Sequence, residues 1–405
     1  MKIFWGLIGI LILALSAFFI LKNNTIEVSN LDTEILEIEQ NITYLPREDG
    51  DMPDQKKITN PPQEIRAVYI TNWVAATPSL FNKILEKIED TDINALIIDV
   101  KDYSGFVGYN TDNELVKKYK ANERRIKHLN KMIAELHERG LYVISRITVF
   151  QDPRLALARP DLAVLDSKGN VWQDRHKLAW VSPASLEVWD YTISIAKELD
   201  ARGVDEINFD YVRFPTDGVN VNNLVYKDFK ENSSKREVIK EFFIYLRENL
   251  PNVTISADIF GQTVVSPDDM GIGQVIEDAY DSFDYISPMI YPSHFINGFI
   301  GFENPGAHPY EVVKYSVEEA VKRLELHERV LMQGTATTTP DLTLEQKARV
   351  SLKIRPWIQD FDLGANYTVE MVRAQMNAIE EAGGGNSYMI WNPSNKYRDG
   401  IFTDK

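Results

Sequence analysis

The sequence predicts a (β/α)8 barrel of the TIM type, and three observations predict it. From Glu64 onward, strand-like apolar runs alternate with amphipathic helix-like stretches, and eight such runs fall within about 340 residues. Several of these runs end in a carboxylate, an amide or an aromatic residue. That is the pattern of parallel strands whose C-terminal ends form a barrel mouth. The alternative, a doubly wound open sheet, needs a Gly-rich phosphate loop. Gly271-Ile272-Gly273 follows no strand and lacks a third glycine, so it reads as a turn.

The first predicted strand is Ile65 to Thr71, followed by a helix from Ser79 to Glu89 with Leu80, Ile84, Leu85 and Ile88 on one face. The second, Ala95 to Val100, is apolar on both faces, as buried parallel strands are. A helix from Arg125 to Arg139 stops at Gly140, a natural C-cap. The third strand, Tyr142 to Phe150, opens into a long loop, Gln151 to Pro183, and a helix from Leu186 to Arg202 leads to the fourth. That fourth strand is the chain's most informative stretch, Gly203-Val204-Asp205-Glu206-Ile207-Asn208-Phe209-Asp210-Tyr211-Val212-Arg213-Phe214-Pro215. Ile207 and Phe209 alternate with Asn208 and Asp210, and Pro215, with no N–H to donate, ends the ladder.

The fifth strand, Val253 to Phe260, follows a helix from Lys235 to Asn249, and the sixth, Tyr285 to Tyr291, follows a weak helix from Gly273 to Tyr280. A helix from Tyr310 to His327 comes next. Val330 to Lys353 shows little pattern beyond a helix-like piece at Leu344 to Leu352 and reads as an insertion. Ile354 to Phe361 is the seventh strand, Thr368 to Glu381 a helix, and Ser387 to Pro393 the eighth strand.

Two segments precede the barrel. Ile3 to Leu21 is a run of 19 uncharged residues flanked by Lys2 and Lys22. At about 1.5 Å per residue it matches a bilayer core, so residues 1–21 are expected to form a transmembrane anchor. A signal peptide is the competing reading, since Ala14-Leu15-Ser16 resembles a cleavage site, but the apolar run continues past it. Lys2 places the amino terminus inside and the body on the extracytoplasmic side. Residues 22–63 hold nine acidic and four basic residues with four prolines, the composition of a flexible acidic linker. Residues 64–405 form the barrel domain.

The net charge of −16 disfavours nucleic-acid binding, which needs clustered Lys and Arg against phosphates. With no cysteine, disulfides, thiolate metal sites and Cys nucleophiles are absent. His128, His137, His176, His294, His308 and His327 form no pair at metal-ligand spacing, and no nucleophile-elbow serine motif is present.

Four predicted strands place an aspartate at or near their C-terminal ends: Asp99, Asp210, Asp258 and Asp360. Others end in Trp73, Arg146, Tyr291, Trp391 or Asn392. A mouth lined with acids and flat aromatic rings suits a sugar. Carboxylates supply acid, base or nucleophile for glycosidic cleavage, and ring faces cover the C–H faces of pyranoses. The bland alternative is that some acids are salt-bridged to Lys101, Arg146, Arg213 or Arg355. A divalent metal held by Asp99, Asp210 and Asp258 is a further alternative. The expected site uses no cofactor and no metal.

The stretch Gly203 to Pro215 resembles the fourth-strand motif of a bacterial family of glycoside hydrolases long catalogued as a domain of unknown function. Trp180-Val181-Ser182-Pro183, Arg355-Pro356-Trp357-Ile358-Gln359-Asp360-Phe361 and Trp391-Asn392-Pro393-Ser394-Asn395 resemble it too, so the likeness runs from about Ile65 to Tyr397. The same strand loosely resembles the chitinase motif, but Val212 stands where that motif has its catalytic Glu and Asn208 where an Asp is expected. The resemblance implies a glycosidase of the TIM-barrel superfamily, with Asp210 in the central role. Together with the apolar N-terminal run, the first reading is an anchored or secreted enzyme acting on an envelope or extracellular polysaccharide. Asp258 or Asp360 is its expected acid partner. Tyr291 and Arg213 are expected to orient the sugar or the acids. Trp73, Trp180 and Trp391 are expected to stack on sugar rings, with Asp99, Arg146, Tyr211 and Asn392 also in the substrate site. The second reading is a non-catalytic, lectin-like carbohydrate-binding barrel. An acid with a raised pKa beside Asp210 favours the enzyme; acids all satisfied by arginines favour the binder.

Overall fold

The computed structural model describes residues 50–333 and 340–403. The predicted span Ile3–Leu21 and the linker as far as residue 49 lie outside the described residues. Among the described residues no helix is long and apolar enough to cross a membrane.

Ten strands form one sheet: β1 (Arg66–Ile70), β2 (Ala95–Lys101), β3 (Val107–Tyr109), β4 (Asn122–Ile126), β5 (Tyr142–Thr148), β6 (Glu206–Asp210), β7 (Ile255–Phe260), β8 (Tyr285–Met289), β9 (Trp357–Gln359) and β10 (Tyr388–Trp391). Eight of them are parallel and run β1-β10-β9-β8-β7-β6-β5-β2. The additional β1–β2 pairing closes the ring. These are the eight strands the sequence predicts.

Closure divides the apolar residues into two sets. The inward set includes Ile65, Ala67, Tyr69, Ala95, Ile97, Tyr142, Ile144, Tyr291, Trp357 and Met389. The outward set packs under the helices. Strand period 2 is what separates them: Tyr69 points in, and Val68 and Ile70 point out.

The helices are α1 (Asn72–Ala75), α2 (Pro78–Ile88), α3 (Glu114–Lys118), α4 (Leu129–Glu138), α5 (Pro153–Ala158), α6 (Leu186–Ala201), α7 (Lys235–Asn249), α8 (Ile276–Ser282), α9 (Pro309–Gln333), α10 (Leu344–Lys353) and α11 (Val369–Glu381). Local chemistry sets several of their starts. Ser234 and Glu237 form a capping box on α7, and Thr343 and Gln346 form one on α10. The piece read as part of an insertion is thus a properly capped helix, anchored by the fully buried Val350.

Three boundaries differ from expectation. The helix expected over Tyr310 to His327 continues to Gln333 as α9, so the start of the stretch read as an insertion is helical. The helix expected from Arg125 begins at Leu129, because Asn122–Ile126 is β4, paired with β3 beside the mouth-side end of β2. Its sequence, NERRI, has no apolar alternation to reveal a strand. Asn122 Nδ2 instead secures it by donating to the Val107 and Tyr109 carbonyls at 3.0 and 2.6 Å. The packed body also begins before Glu64. The buried Asp51 carboxylate accepts the N–H groups of Asn130 and Lys131 at 2.9 and 3.1 Å, capping the first turn of α4. Gln55 N–H donates to the Arg202 carbonyl at 3.1 Å, and Ile58 N–H to Asp205 at 2.7 Å. Residues 51–58 therefore form a strap that runs from the first turn of α4 to the α6–β6 turn. Gly203 allows it: φ is +92°, and a Cβ there would stand 2.3 Å from the Gln55 carbonyl oxygen.

Candidate active site

The barrel register brings carboxylates from three strands to one level. Asp99 pairs with Arg146 across β2–β5, Arg146 with Asn208 across β5–β6, and Phe209 with Ala257 across β6–β7. Inward-facing Asp99, Arg146, Asp210 and Asp258 thus meet near the C-terminal ends of their strands.

At the centre is Arg146, whose guanidinium binds all three aspartates. Nη1 donates to Asp99 Oδ1 at 2.7 Å, Nε to Asp258 Oδ2 at 3.1 Å, and Nη2 to Asp210 Oδ2. All three carboxylates are almost fully buried. One positive charge facing three negative ones leaves an excess of negative charge away from water, which favours retention of a proton. The shifts agree with this. Burial raises Asp99 against the lowering effect of Arg146. Asp258 is pushed up to about 7, by burial first and by the Asp210 charge second. The same acids hold Arg146 firmly protonated despite its burial.

Each carboxylate has further partners. The Tyr69 hydroxyl donates to Asp99 Oδ2 at 2.5 Å. Asp258 Oδ1 accepts from Trp357 Nε1 at 2.7 Å and from Asn208 Nδ2 at 2.9 Å. Asp210 Oδ1 accepts the Tyr211 N–H at 2.5 Å. That contact depends on a turned backbone: Tyr211 has φ of +54°, the left-handed region, unusual for a bulky residue. Trp180 and Arg213 help hold it, with the Tyr211 ring edge-on to Trp180 at 5.7 Å and the Arg213 guanidinium 5.5 Å from the Tyr211 ring centre. Beside the acids, burial keeps the Tyr291 phenol neutral within the field of Asp258, Arg146 and Asp210. Tyr291 packs against Trp391 at 5.0 Å, and Trp391 meets Phe361 edge-on at 5.0 Å, forming an aromatic wall.

Other predicted site residues do other work. Asp360 does not join the Arg146 cluster. Fully buried, it is bound by the Arg398 guanidinium and by Arg398 N–H at 3.3 Å. Trp180 is fully buried with its Nε1 on Asp174 at 3.1 Å, so its faces are not open to a sugar. Asn392 builds a turn: its amide donates to the Asp360 and Lys396 carbonyls, and its Oδ1 accepts from Ser394 N–H. Arg213 is sandwiched by the Trp180 and Phe260 rings, 4.9 and 4.5 Å away, and paired with Asp217 at 2.8 Å. It braces the loop after β6 and makes no contact with the three aspartates. Trp73 is 56% exposed, with the Arg125 guanidinium 4.4 Å from its ring centre. It lies outside the cluster but retains an open face.

Tyr69, Asn208 and Trp357 also touch the acids, and none of them belongs to the site expected from the sequence. The available signal was positional: Tyr69 and Asn208 occupy inward phases of their strands, and Trp357 opens β9. Among the described residues no group of His, Asp and Glu is arranged to hold a metal ion; where the aspartates converge, the cation is Arg146.

Residues 67–397 match the model of a family described as "Putative glycosyl hydrolase domain". The chain belongs to this family. Glycoside hydrolysis is accordingly the activity class of this glycosyl hydrolase domain. A hypothetical protein from Ruminiclostridium thermocellum is 34% identical, with the match covering 51% of this chain and 98% of that one at a TM-score of 0.44. The PgaB (BpsB) glycoside hydrolase domain from Bordetella bronchiseptica shares the fold at a TM-score of 0.55 and 14% identity, covering 85% of this chain and all of that one. An alpha-galactosidase from Thermus thermophilus matches at a TM-score of 0.46 and 13% identity, over 84% of this chain and 63% of that one. No curated protein matches the chain.

Proposed function

We propose that this glycosyl hydrolase domain cleaves an envelope or extracellular polysaccharide with Asp210 as nucleophile and Asp258 as acid and base. The observation behind this reading is the sharing of Arg146 by Asp99, Asp210 and Asp258. One arginine cannot neutralise three buried acids, so a raised-pKa carboxyl stands beside Asp210, as an enzyme needs and a lectin does not.

In the first step protonated Asp258 gives its proton to the glycosidic oxygen as the C1–O bond breaks. An Asp210 oxygen forms an ester bond to C1. In the second step Asp258 takes a proton from water, the water oxygen bonds to C1, and Asp210 leaves. Asp210 and Asp258 sit on neighbouring nitrogens of one guanidinium, an arrangement that favours the short separation, about 5 Å, of retaining enzymes. The Tyr291–Trp391 wall and the open face of Trp73 offer surfaces for sugar rings. The uncharged run Ile3–Leu21 supports a membrane-tethered or exported location.

The test uses the full chain and its Asp210→Asn variant against a panel of bacterial envelope glycans and exopolysaccharides, with reducing ends and binding read separately. Release that the variant loses supports the reading. Binding without release, equal in both proteins, would replace it with the lectin-like barrel.

A further inference from the structure

Asp258 has two oxygens in different surroundings. Oδ1 accepts two short hydrogen bonds, from Trp357 Nε1 at 2.7 Å and Asn208 Nδ2 at 2.9 Å. Both donors are fully buried side chains. Neither can be inverted to accept: indole nitrogen is a donor only, and Asn208 Nδ2 is fixed by also donating to Ser256 Oγ at 3.0 Å. Ser256 Oγ in turn donates to Glu206 Oε1 at 2.6 Å, so the chain of donors has one direction. Oδ2 has a single, longer contact, Arg146 Nε at 3.1 Å, on the side shared with Asp210.

From this asymmetry we infer that Trp357 and Asn208 are positioning residues, which confine the proton of Asp258 to Oδ2, the oxygen that faces Asp210 and the reacting bond. The inference rests on the hydrolase reading for its consequence, but not for its geometry. A proton on Oδ1 would meet two N–H donors head-on. A proton on Oδ2 leaves both bonds to Oδ1 intact. The charged and titratable groups around Asp258 are Arg146 on β5, Asp210 on β6 and Tyr291 after β8, with Asp99 on β2 acting through Arg146. None of them donates to Oδ1. The arrangement gives an acid that needs no rotation before it protonates the leaving oxygen.

Trp357 and Asn208 also stabilise the ionised form, since each hydrogen bond to Oδ1 strengthens with the carboxylate charge. Removing one donor should therefore raise the midpoint of Asp258. The experiment uses the full chain with 13C-labelled aspartate carboxyls. The Asp258 signal is assigned by its loss in Asp258→Asn and titrated in wild type, Trp357→Phe and Asn208→Leu. Each variant keeps an apolar filler and lacks the donor.

The expected result is an Asp258 midpoint about one unit higher in each variant, a tenfold change in its ionisation constant. The basic limb of kcat/KM should move up by the same amount, and the plateau at lower pH should fall, because the proton is no longer held on Oδ2. A merely structural role would lower the plateau without moving the midpoint. Midpoints unmoved in both folded variants would overturn the inference. Shifted midpoints in the variants, with a wild-type chain that releases no reducing ends, would support the placement of the proton and overturn the hydrolase reading, so the two failures are distinct.

Discussion

Asp258 holds its proton to about pH 7 in the folded chain, because burial and the Asp210 charge oppose its ionisation. In the unfolded chain the same group titrates near the ordinary carboxylate value of about 4. Between those two values the folded state binds more protons than the unfolded one, so this group's contribution to stability falls as pH rises from about 4 to 7. At about 1.4 kcal/mol per unit, the loss is on the order of 4 kcal/mol. Asp258→Asn removes the ionisation. Its stability relative to wild type should therefore grow by up to about 4 kcal/mol between pH 4 and pH 8, measured by urea unfolding; a flat difference would mean that the carboxyl ionises normally.

Arg146 responds in the opposite sense. Arg146→Met leaves three buried carboxylates without a cation and should cost about 3–5 kcal/mol at neutral pH. Much of that loss should be recovered at pH 5, where the acids take up protons. Equal destabilisation at both pH values would count against the shared-charge account.

At the scale of elements, the strap at residues 51–58 belongs to the barrel. Asp51 supplies a carboxylate to the first turn of α4, where two backbone N–H groups and the helix dipole favour it. Asp51→Asn should cost about 1 kcal/mol, and Asp51→Ala about 1–2 kcal/mol, in thermal or urea unfolding. An unchanged midpoint in Asp51→Ala would show that the strap adds nothing to the fold. A chain begun at Glu64 would lack these contacts and leave Asn130 and Asp205 short of partners. The composition of residues 22–63 is that of a linker throughout. Only contact with α4 and the α6–β6 turn separates its last part from the rest.

Across the whole molecule, the interior beneath the acids is also polar. Glu206 on β6 and Arg355, just before β9, are both completely buried and joined at 2.9 Å. Tyr142 and Ser256 hydroxyls complete the carboxylate, and Arg355 lies 3.2 Å from the Tyr285 ring centre. The pair spans the barrel between strands that are not neighbours in the sheet. Arg355→Met alone should destabilise by about 3–5 kcal/mol, because Glu206 is left charged and unpaired. Adding Glu206→Gln should restore part of that loss, and additive losses in the double variant would refute the coupling. The same cross-barrel logic joins Trp357 on β9 to Asp258 on β7.

The sequence by itself determined the eight strands, their parallel alternation with helices, and the placing of Asp99, Arg146, Asp210 and Asp258 near the mouth. Those features are local: strand period, helix period and the residue types at strand ends are visible in a window of a few residues. It also put Lys101, Arg146, Arg213 and Arg355 forward as possible partners of the acids, without telling them apart. Tertiary structure decided that choice. Ring closure and register aim Arg146 at three aspartates, while the turn at Tyr211 carries Arg213 away between Trp180 and Phe260. It also set Asp360 apart, since Arg398, 38 residues later, reaches it first. Which acid faces which cation depends on strands far apart in sequence arriving at one level. No local pattern records that distance.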